Sequence, residues 1–202
     1  MRALPLLSKS RRKRSSILVR FLLTSGFLLS VLPLHAQRDN YPRDRDRDQD
    51  ASVNAGGNWL EYDSEDRMTA TRRVRFELVS DNTLRENRSV QSRIEIFCEK
   101  GKFKYSEFTP GVSLGPPNRP GLWGQPQMEV MVRVDDTHHN HGWNWNGRVL
   151  SMDKGTTREL IGAHIFRIEF LGRGGPEIAK FSPGALDLSR VSHGCDLTPK
   201  KP

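Results

Sequence analysis

Alternating apolar and polar residues mark four segments of this chain as β-strands. Residues 71–78 place Val74, Phe76 and Leu78 on one face and charged side chains on the other. Residues 93–98, 127–134 and 165–170 repeat this period of two, which is typical of a half-buried strand. Turn residues at 99–102 and at 172–176 lead into further apolar segments, so the pattern predicts two hairpins.

Helical periodicity is scarce by comparison. The best helical segment, residues 157–163, is short and contains Gly162, which weakens a helix. Short strands separated by Gly/Pro turns favour antiparallel pairing, because parallel strands would need intervening helices. We therefore expect an all-β fold, an antiparallel β-sandwich with one short helix. Residues 109–126 hold five prolines and four glycines, and they predict a long surface loop.

The N-terminal segment, residues 1–36, has the pattern of a secretory signal. A cluster of Lys and Arg precedes the apolar run of residues 21–34, and Ala36 ends a small-residue cleavage motif. The alternative is an uncleaved anchor, although the apolar run is shorter than the roughly 20 residues that a membrane helix needs. We expect cleavage, no stable membrane insertion afterwards, and an exported protein, periplasmic or extracellular.

Cleavage would change the interpretation of the charge. The segment carries seven basic residues and no acidic one, so its removal lowers the formal net charge from +8 to +1. A strongly basic protein suggests nucleic acid as a partner. The nearly neutral remainder does not, and we expect no nucleic-acid partner.

The next segment, residues 37–57, is rich in Asp and Arg and almost free of apolar residues. Such a composition cannot offset the entropy of ordering by burial. It predicts a disordered linker, with an ionic recognition tag as the alternative, followed by one folded domain at residues 58–202.

Two cysteines, Cys98 and Cys195, are the only ones in the chain. An even number in an exported protein favours a disulfide, which would fasten the C-terminal tail to a core strand. Two separate buried thiols are the alternative.

Three histidines stand close together after two aspartates, at His138, His139 and His141. Imidazole and carboxylate both ligate transition metals. The simpler interpretation is a polar hairpin loop between Val134 and Trp143, because neighbouring loop residues seldom meet at one metal ion.

Two tryptophans two residues apart, Trp143 and Trp145, would share one face of an extended segment. Exposed, they would form a platform for sugar rings, with Asn144 offering a hydrogen bond at its edge. Buried, they would belong to the core, which is the interpretation we favour. Trp123, in the Pro/Gly-rich loop, is the tryptophan expected to be exposed.

The enzyme motifs that we sought are not in the sequence: a nucleophile elbow, a zinc-protease helix motif and a glycine-rich phosphate loop. We therefore expect a non-enzymatic protein without a cofactor.

Spaced residues and short patches between Trp59 and Cys195 resemble the TagO/VasI-like exported accessory proteins of type VI secretion. The matching positions are Trp59, 66–69, 74–78, 80–82, Cys98, 132–135, Trp145, 151–153, Phe181, 186–189 and Cys195. The resemblance implies a periplasmic, non-enzymatic protein that assists the assembly of an envelope machine and contacts the cell wall or its processing enzymes. Four features depart from that pattern: the linker, the proline-rich loop, the histidines and the additional tryptophan beside Trp145.

Two functions follow from these observations. The first is an assembly or adaptor protein of the envelope that binds other envelope proteins, through edge strands and residues 109–126. The second is a secreted module that binds cell-wall glycan through Trp123, Trp143 or Trp145. A metal-dependent enzyme centred on the three histidines is a third, weaker hypothesis.

Overall fold

The computed structural model describes residues 51–200, and the predicted signal segment and most of the predicted linker lie outside them. Within the described residues, eleven strands and two short helices form. The strands are β1 Ser52–Gly56, β2 Trp59–Asp66, β3 Thr71–Thr83, β4 Gln91–Glu99, β5 Lys102–Thr109, β6 Arg119–Pro120, β7 Pro126–Val134, β8 Thr137–Trp145, β9 Leu150–Met152, β10 Phe166–Gly172 and β11 Gly175–Phe181; the helices are α1 Lys154–Leu160 and α2 Leu188–Cys195. Every strand pairing is antiparallel, so the predicted all-β class is confirmed.

Alternation in the sequence explains why these strands form. In β3, Val74, Phe76 and Leu78 are almost completely buried, and the residues between them are turned outward. In β7, Met128 and Val130 are buried in the same way. The core is therefore made from the apolar sets that the period of two identified.

The two layers of the sandwich belong to one continuous sheet. Its strand order is β1-β2-β3-β4-β5-β9-β8-β7-β10-β11, with β6 paired to β7. Phe108 on β5 lies 5.2 Å from Phe170 on β10 and 6.2 Å from Phe181 on β11, measured between ring centroids. In a flat sheet β5 and β10 would be about 19 Å apart, four strand spacings. The sheet must therefore fold over, and its two halves enclose one core.

The fold begins earlier than the sequence suggested. Strand β1 lies inside the segment assigned to the disordered linker, and the boundary placed near residue 58 is wrong. Ala55 is buried, and its carbonyl oxygen accepts a hydrogen bond from the backbone N–H of Asp187 at 2.8 Å. Gly56 has a φ of +105°, and a Cβ there would clash with the carbonyl oxygen of Ala185. Backbone pairing and a close approach that only glycine permits thus order a polar segment.

The helical prediction is correct in one place and incomplete in another. Helix α1 overlaps the predicted residues 157–163 but starts at Lys154, because the carboxylate of Asp153 accepts from the backbone N–H of Thr156 at 2.8 Å and caps the helix. Helix α2 was not predicted. Its N-cap is Asp187, whose carboxylate accepts from the backbone N–H of Ser189. No helix in residues 51–200 has the length and apolar character that crossing a membrane requires.

Cys98 and Cys195 form a disulfide, as expected, with their Cα atoms 5.1 Å apart. The bond joins α2 to the core strand β4. It therefore fastens the C-terminal part of the domain to the sheet.

Candidate functional site

The proline-rich loop, residues 109–126, is fixed to the body of the domain at its centre. Leu114 is buried and forms an isolated bridge with Gly172. The backbone N–H of Gly115 donates to the carbonyl oxygen of Leu171 at 2.9 Å, and the Nε1–H of Trp145 donates to the carbonyl oxygen of Gly115 at 3.1 Å. The loop thus has a well-defined base.

A small hairpin projects from this base. Strand β6 pairs with the start of β7, and the turn between them is closed by hydrogen bonds from the backbone of Gly121 to Gln125 (2.9 Å) and of Gly124 to Gly121 (3.0 Å). The side-chain oxygen of Gln125 accepts from the backbone N–H of Trp123 at 2.9 Å. Gly124 has a φ of +75°, a left-handed conformation that glycine adopts without strain. The tip therefore has a defined backbone.

Two large apolar side chains occupy this tip. Leu122 is 96% exposed and Trp123 is 91% exposed. The expectation that Trp123 lies at the surface is confirmed. We call Leu122 and Trp123 the apolar tip.

The other tryptophans do not form a sugar platform. Trp143 is 1% exposed and packs in the core beside Phe108. Trp145 is half-buried against the base of the loop, and Asn144 points away from both, accepting a hydrogen bond from Gln127 Nε2 at 3.0 Å. Trp143 and Trp145 share the inner face of β8, as the spacing predicted, and this places them in or beside the core.

The histidines lie on a strand and not in a hairpin loop. Residues Thr137–Trp145 form β8, and the turn before it contains only Asp135 and Asp136. His138 and His139 therefore point to opposite faces of the sheet, and His139 and His141 share one face with their rings 6.4 Å apart. In the part of the chain that the structure describes, no group of three or more His, Cys, Asp or Glu side chains is arranged to hold a metal ion.

One of these histidines instead supports the start of α1. Nδ1 of His141 lies 3.4 Å from Oδ2 of Asp153 and 3.3 Å from Oγ1 of Thr156. The Thr156 hydroxyl also donates to Asp153 Oδ2 at 2.6 Å. The hydrogen bond from His141, together with those from Thr156, holds the pKa of Asp153 well below its usual range. This cluster stabilises the helix cap.

A groove of about 270 Å³ lies on the outer face beneath the loop. Four polar side chains line it, from Asn118, Glu129, Asn140 and Glu169, together with apolar atoms of residues such as Met131. The backbone of β7 positions the Asn118 side chain, because Asn118 Oδ1 accepts from the backbone N–H of Glu129 at 2.7 Å. Carboxylates and amides of this kind form hydrogen bonds to hydroxyl groups.

Comparison with known proteins yields no relative: no family model, curated protein or solved structure matches the chain. The resemblance to type VI accessory proteins stays a prediction. The groove was not predicted, since its residues come from the loop and four separate strands. Only the strand register brings them together.

Proposed function

We propose that this protein is an exported, non-enzymatic adaptor that binds another envelope protein through the apolar tip. The observation that carries the proposal is the near-complete exposure of Leu122 and Trp123 on a turn whose backbone is fixed. A folded domain has little reason to place two large apolar side chains at the end of a hairpin unless they are buried elsewhere.

The energetics of the tip support docking. A tryptophan buries about 150–250 Å² when it is enclosed. At about 25 cal/mol per Å², this corresponds to roughly 4–6 kcal/mol before the costs of association. Tryptophan is also enriched among the residues that dominate interfaces. Because hydrogen bonds already hold the turn at Gly121 and Gly124, little backbone entropy is lost on binding.

The disulfide supports the part of the proposal that says the protein is exported. The disulfide between Cys98 and Cys195 closes a sequence separation of 97 residues. Such bonds persist outside the reducing cytosol. The signal-like pattern of residues 1–36 points to the same location.

The test is in-cell photocrosslinking with the full-length chain. A photoreactive phenylalanine analogue replaces Trp123 in one version and Met68 in the other. Met68 is a matched control, because it is 94% exposed at a turn on a different part of the surface. We expect a discrete crosslinked envelope protein from position 123 and none from position 68.

A second comparison tests the energetics of that contact. In a variant that carries the crosslinker at Gln125, Leu122→Ala should reduce the yield of the same crosslinked band several-fold, whereas Met68→Ala should not. Equal crosslinking from positions 68 and 123, or an unchanged yield in Leu122→Ala, would contradict the adaptor proposal.

The groove supports the glycan-binding alternative, because polar side chains line it. Asn118 belongs to the same loop as Trp123, and Glu129 and Glu169 provide hydrogen-bond acceptors for sugar hydroxyls. The test is co-sedimentation of the purified protein with cell-wall sacculi. Glycan binding predicts that Glu129→Gln and Trp123→Ala both reduce the sedimented fraction while Leu122→Ala leaves it unchanged. Loss in Leu122→Ala alone would argue for protein docking.

A further inference from the structure

A row of four basic side chains crosses the outer face of the second half of the sheet. The strand register places Lys180 opposite Arg167, Arg167 opposite Arg133, and Arg133 opposite His138. These residues come from β11, β10, β7 and β8 in spatial order, and we call them the basic row. Side chains directly opposite each other on antiparallel strands lie about 4.5–5.5 Å apart at Cβ. The basic row is therefore a line of neighbouring basic side chains.

Within the described residues, Arg133 is the only member of this row that has an ion pair. Nε of Arg167 is buried and has no hydrogen-bond partner among residues 51–200. The described residues give neither Arg167 nor Lys180 an ion pair. Arg133 has one acidic partner, Asp136, at 3.8 Å, and that carboxylate is fully exposed. Exposed pairs of this kind contribute little.

The first half of the sheet shows how the same chain treats like charges elsewhere. Glu77, Glu95 and Glu107 are also directly opposite one another on β3, β4 and β5. There, Arg75 Nη1 lies 2.7 Å from Glu95 and 3.7 Å from Glu77, and Arg93 Nε lies 3.1 Å from Glu95. Glu77 and Glu95 are thus bridged by arginines of the same sheet, whereas Glu107 has no ion pair among the described residues. In the basic row, Glu169 lies two residues from Arg167 on the same face of β10, but no carboxylate of the described residues forms an ion pair with Arg167 or Lys180.

Repulsion between the opposed cations of the basic row lowers the stability of the isolated domain. Like charges that are directly opposite each other in a sheet are destabilising. An anion placed over the row would relieve this repulsion, because a guanidinium binds a tetrahedral oxyanion through paired N–H donors.

We propose that the basic row binds a linear polyanion whose charges are phosphate groups. The row has the width of one line of side chains and extends over three strand spacings, about 14 Å. Arg167 and Arg133 at its centre provide the paired donors, Lys180 provides a point charge at one end, and the His138 imidazole provides a hydrogen-bonding nitrogen at the other end. The site is independent of the apolar tip, because Arg133 lies at the opposite end of β7 from the tip hairpin.

A line of phosphates suits the row better than an anionic membrane surface does. Glu169 neighbours Arg167 on the same face of β10, in the next row of the sheet, and Asp136 is fully exposed at the turn beside Arg133. A plane of anionic headgroups would be forced against both carboxylates. A single chain of phosphates along the row avoids them.

The test measures binding of fluorescently labelled inorganic polyphosphate by anisotropy, with the whole protein at several salt concentrations. Arg167→Gln and Lys180→Gln should each lower the association constant about three- to fivefold. The slope of log K against log salt should fall by about 0.7 for each cation removed. The matched controls are Arg148→Gln and Lys102→Gln, exposed cations outside the row, which should leave both quantities unchanged.

Stability provides a second measurement on the same variants. Arg167→Gln should unfold at the same temperature as the wild type or a higher one, because it relieves repulsion. Arg167→Lys keeps the charge and should retain more polyphosphate binding than Arg167→Gln.

Three results would overturn the proposal. One is no binding by the wild type, and another is equal losses in the row variants and the control variants, which would indicate net charge alone. The third is co-sedimentation with phosphatidylglycerol vesicles in the absence of polyphosphate binding, which would favour a membrane surface.

Discussion

Reduction of the disulfide between Cys98 and Cys195 should destabilise the domain by several kcal/mol without disturbing its native structure. The bond closes a loop over a sequence separation of 97 residues. The chain-entropy relation gives about 4.7 kcal/mol for a loop of this size, all of it from the unfolded state. For a domain of this length, the corresponding fall in Tm is on the order of 10–15 °C.

The native contacts of α2 explain why the folded state should persist. Val191 is completely buried, and Arg190 Nη1 lies 2.7 Å from Glu61 Oε2. Gly194 packs so closely on β3 that a Cβ there would lie 3.3 Å from Val74 and 3.5 Å from Phe76. The helix therefore keeps apolar and ionic contacts with the sheet after the covalent bond is broken.

The assay is urea unfolding of the oxidised and the reduced protein, followed by tryptophan fluorescence. Reduction should lower the free energy of unfolding and raise the m-value, because the reduced unfolded chain exposes more surface. Cys98→Ala with Cys195→Ala is the control, and reductant should not change its unfolding curve. A loss below about 1 kcal/mol, or hydrogen exchange that increases only in α2, would refute the loop-closure argument.

Three further predictions concern single side chains. Trp143→Ala should cost about 3–5 kcal/mol in urea unfolding because it empties a core position, whereas Trp123→Ala should cost almost nothing; similar costs would contradict the assigned burial. Asp153→Ala should cost about 1 kcal/mol at neutral pH through loss of the α1 cap. The pKa of Asp153 is lower in the folded state than in the unfolded chain, so the cap's contribution to stability is fully present above the ordinary aspartate pKa of about 3.9. It is lost as the pH falls from there through the lowered folded pKa, and the stabilities of the variant and the wild type should therefore converge in acid. A stability difference that does not change with pH would argue against the cap. The Asn82 side chain covers the edge of β11, because its Nδ2 donates to Ile178 O at 2.9 Å and its Oδ1 accepts from Lys180 N–H at 2.7 Å. Asn82→Ala should therefore promote self-association, visible in sedimentation velocity, and a strictly monomeric variant would contradict this.

Much of the fold could be predicted because the core strands bury one face. Strands β3, β4, β7 and β10 alternate between apolar and polar residues, and the structure forms them within a few residues of the predicted bounds. Strand β2 was missed because Glu61 stands on its inner face. Glu61 is 9% exposed and is compensated by Arg190, a residue of α2 that is distant in sequence. The alternation of apolar and polar residues does not reveal a strand where a buried position is polar.

Strand β8, which carries the histidines, was missed for a different reason. At the start of β8, His138, His139 and Asn140 are exposed, so no apolar face distinguishes this half of the strand from a loop. Its backbone pairs with β7 through a two-residue turn in which Asp135 has a φ of +48°. The carboxylate of Asp135 accepts from the backbone N–H of Ile165 at 2.8 Å and so fixes that turn. These are tertiary contacts, and a single sequence does not display them.

The apolar tip could be predicted from the sequence more readily than the basic row, for the same reason. The apolar tip could be anticipated from a tryptophan in a Pro/Gly-rich loop, whereas the basic row requires the register of four strands. Strand β7 connects them, since it begins beside the tip hairpin and ends at Arg133 and Val134. Its nine residues span about 27–30 Å, so one small ligand cannot contact both surfaces. In the double variant of Trp123 and Arg167, the change in binding free energy should therefore equal the sum of the changes in the two single variants. If a single extended partner covered both surfaces, the two changes would be coupled instead.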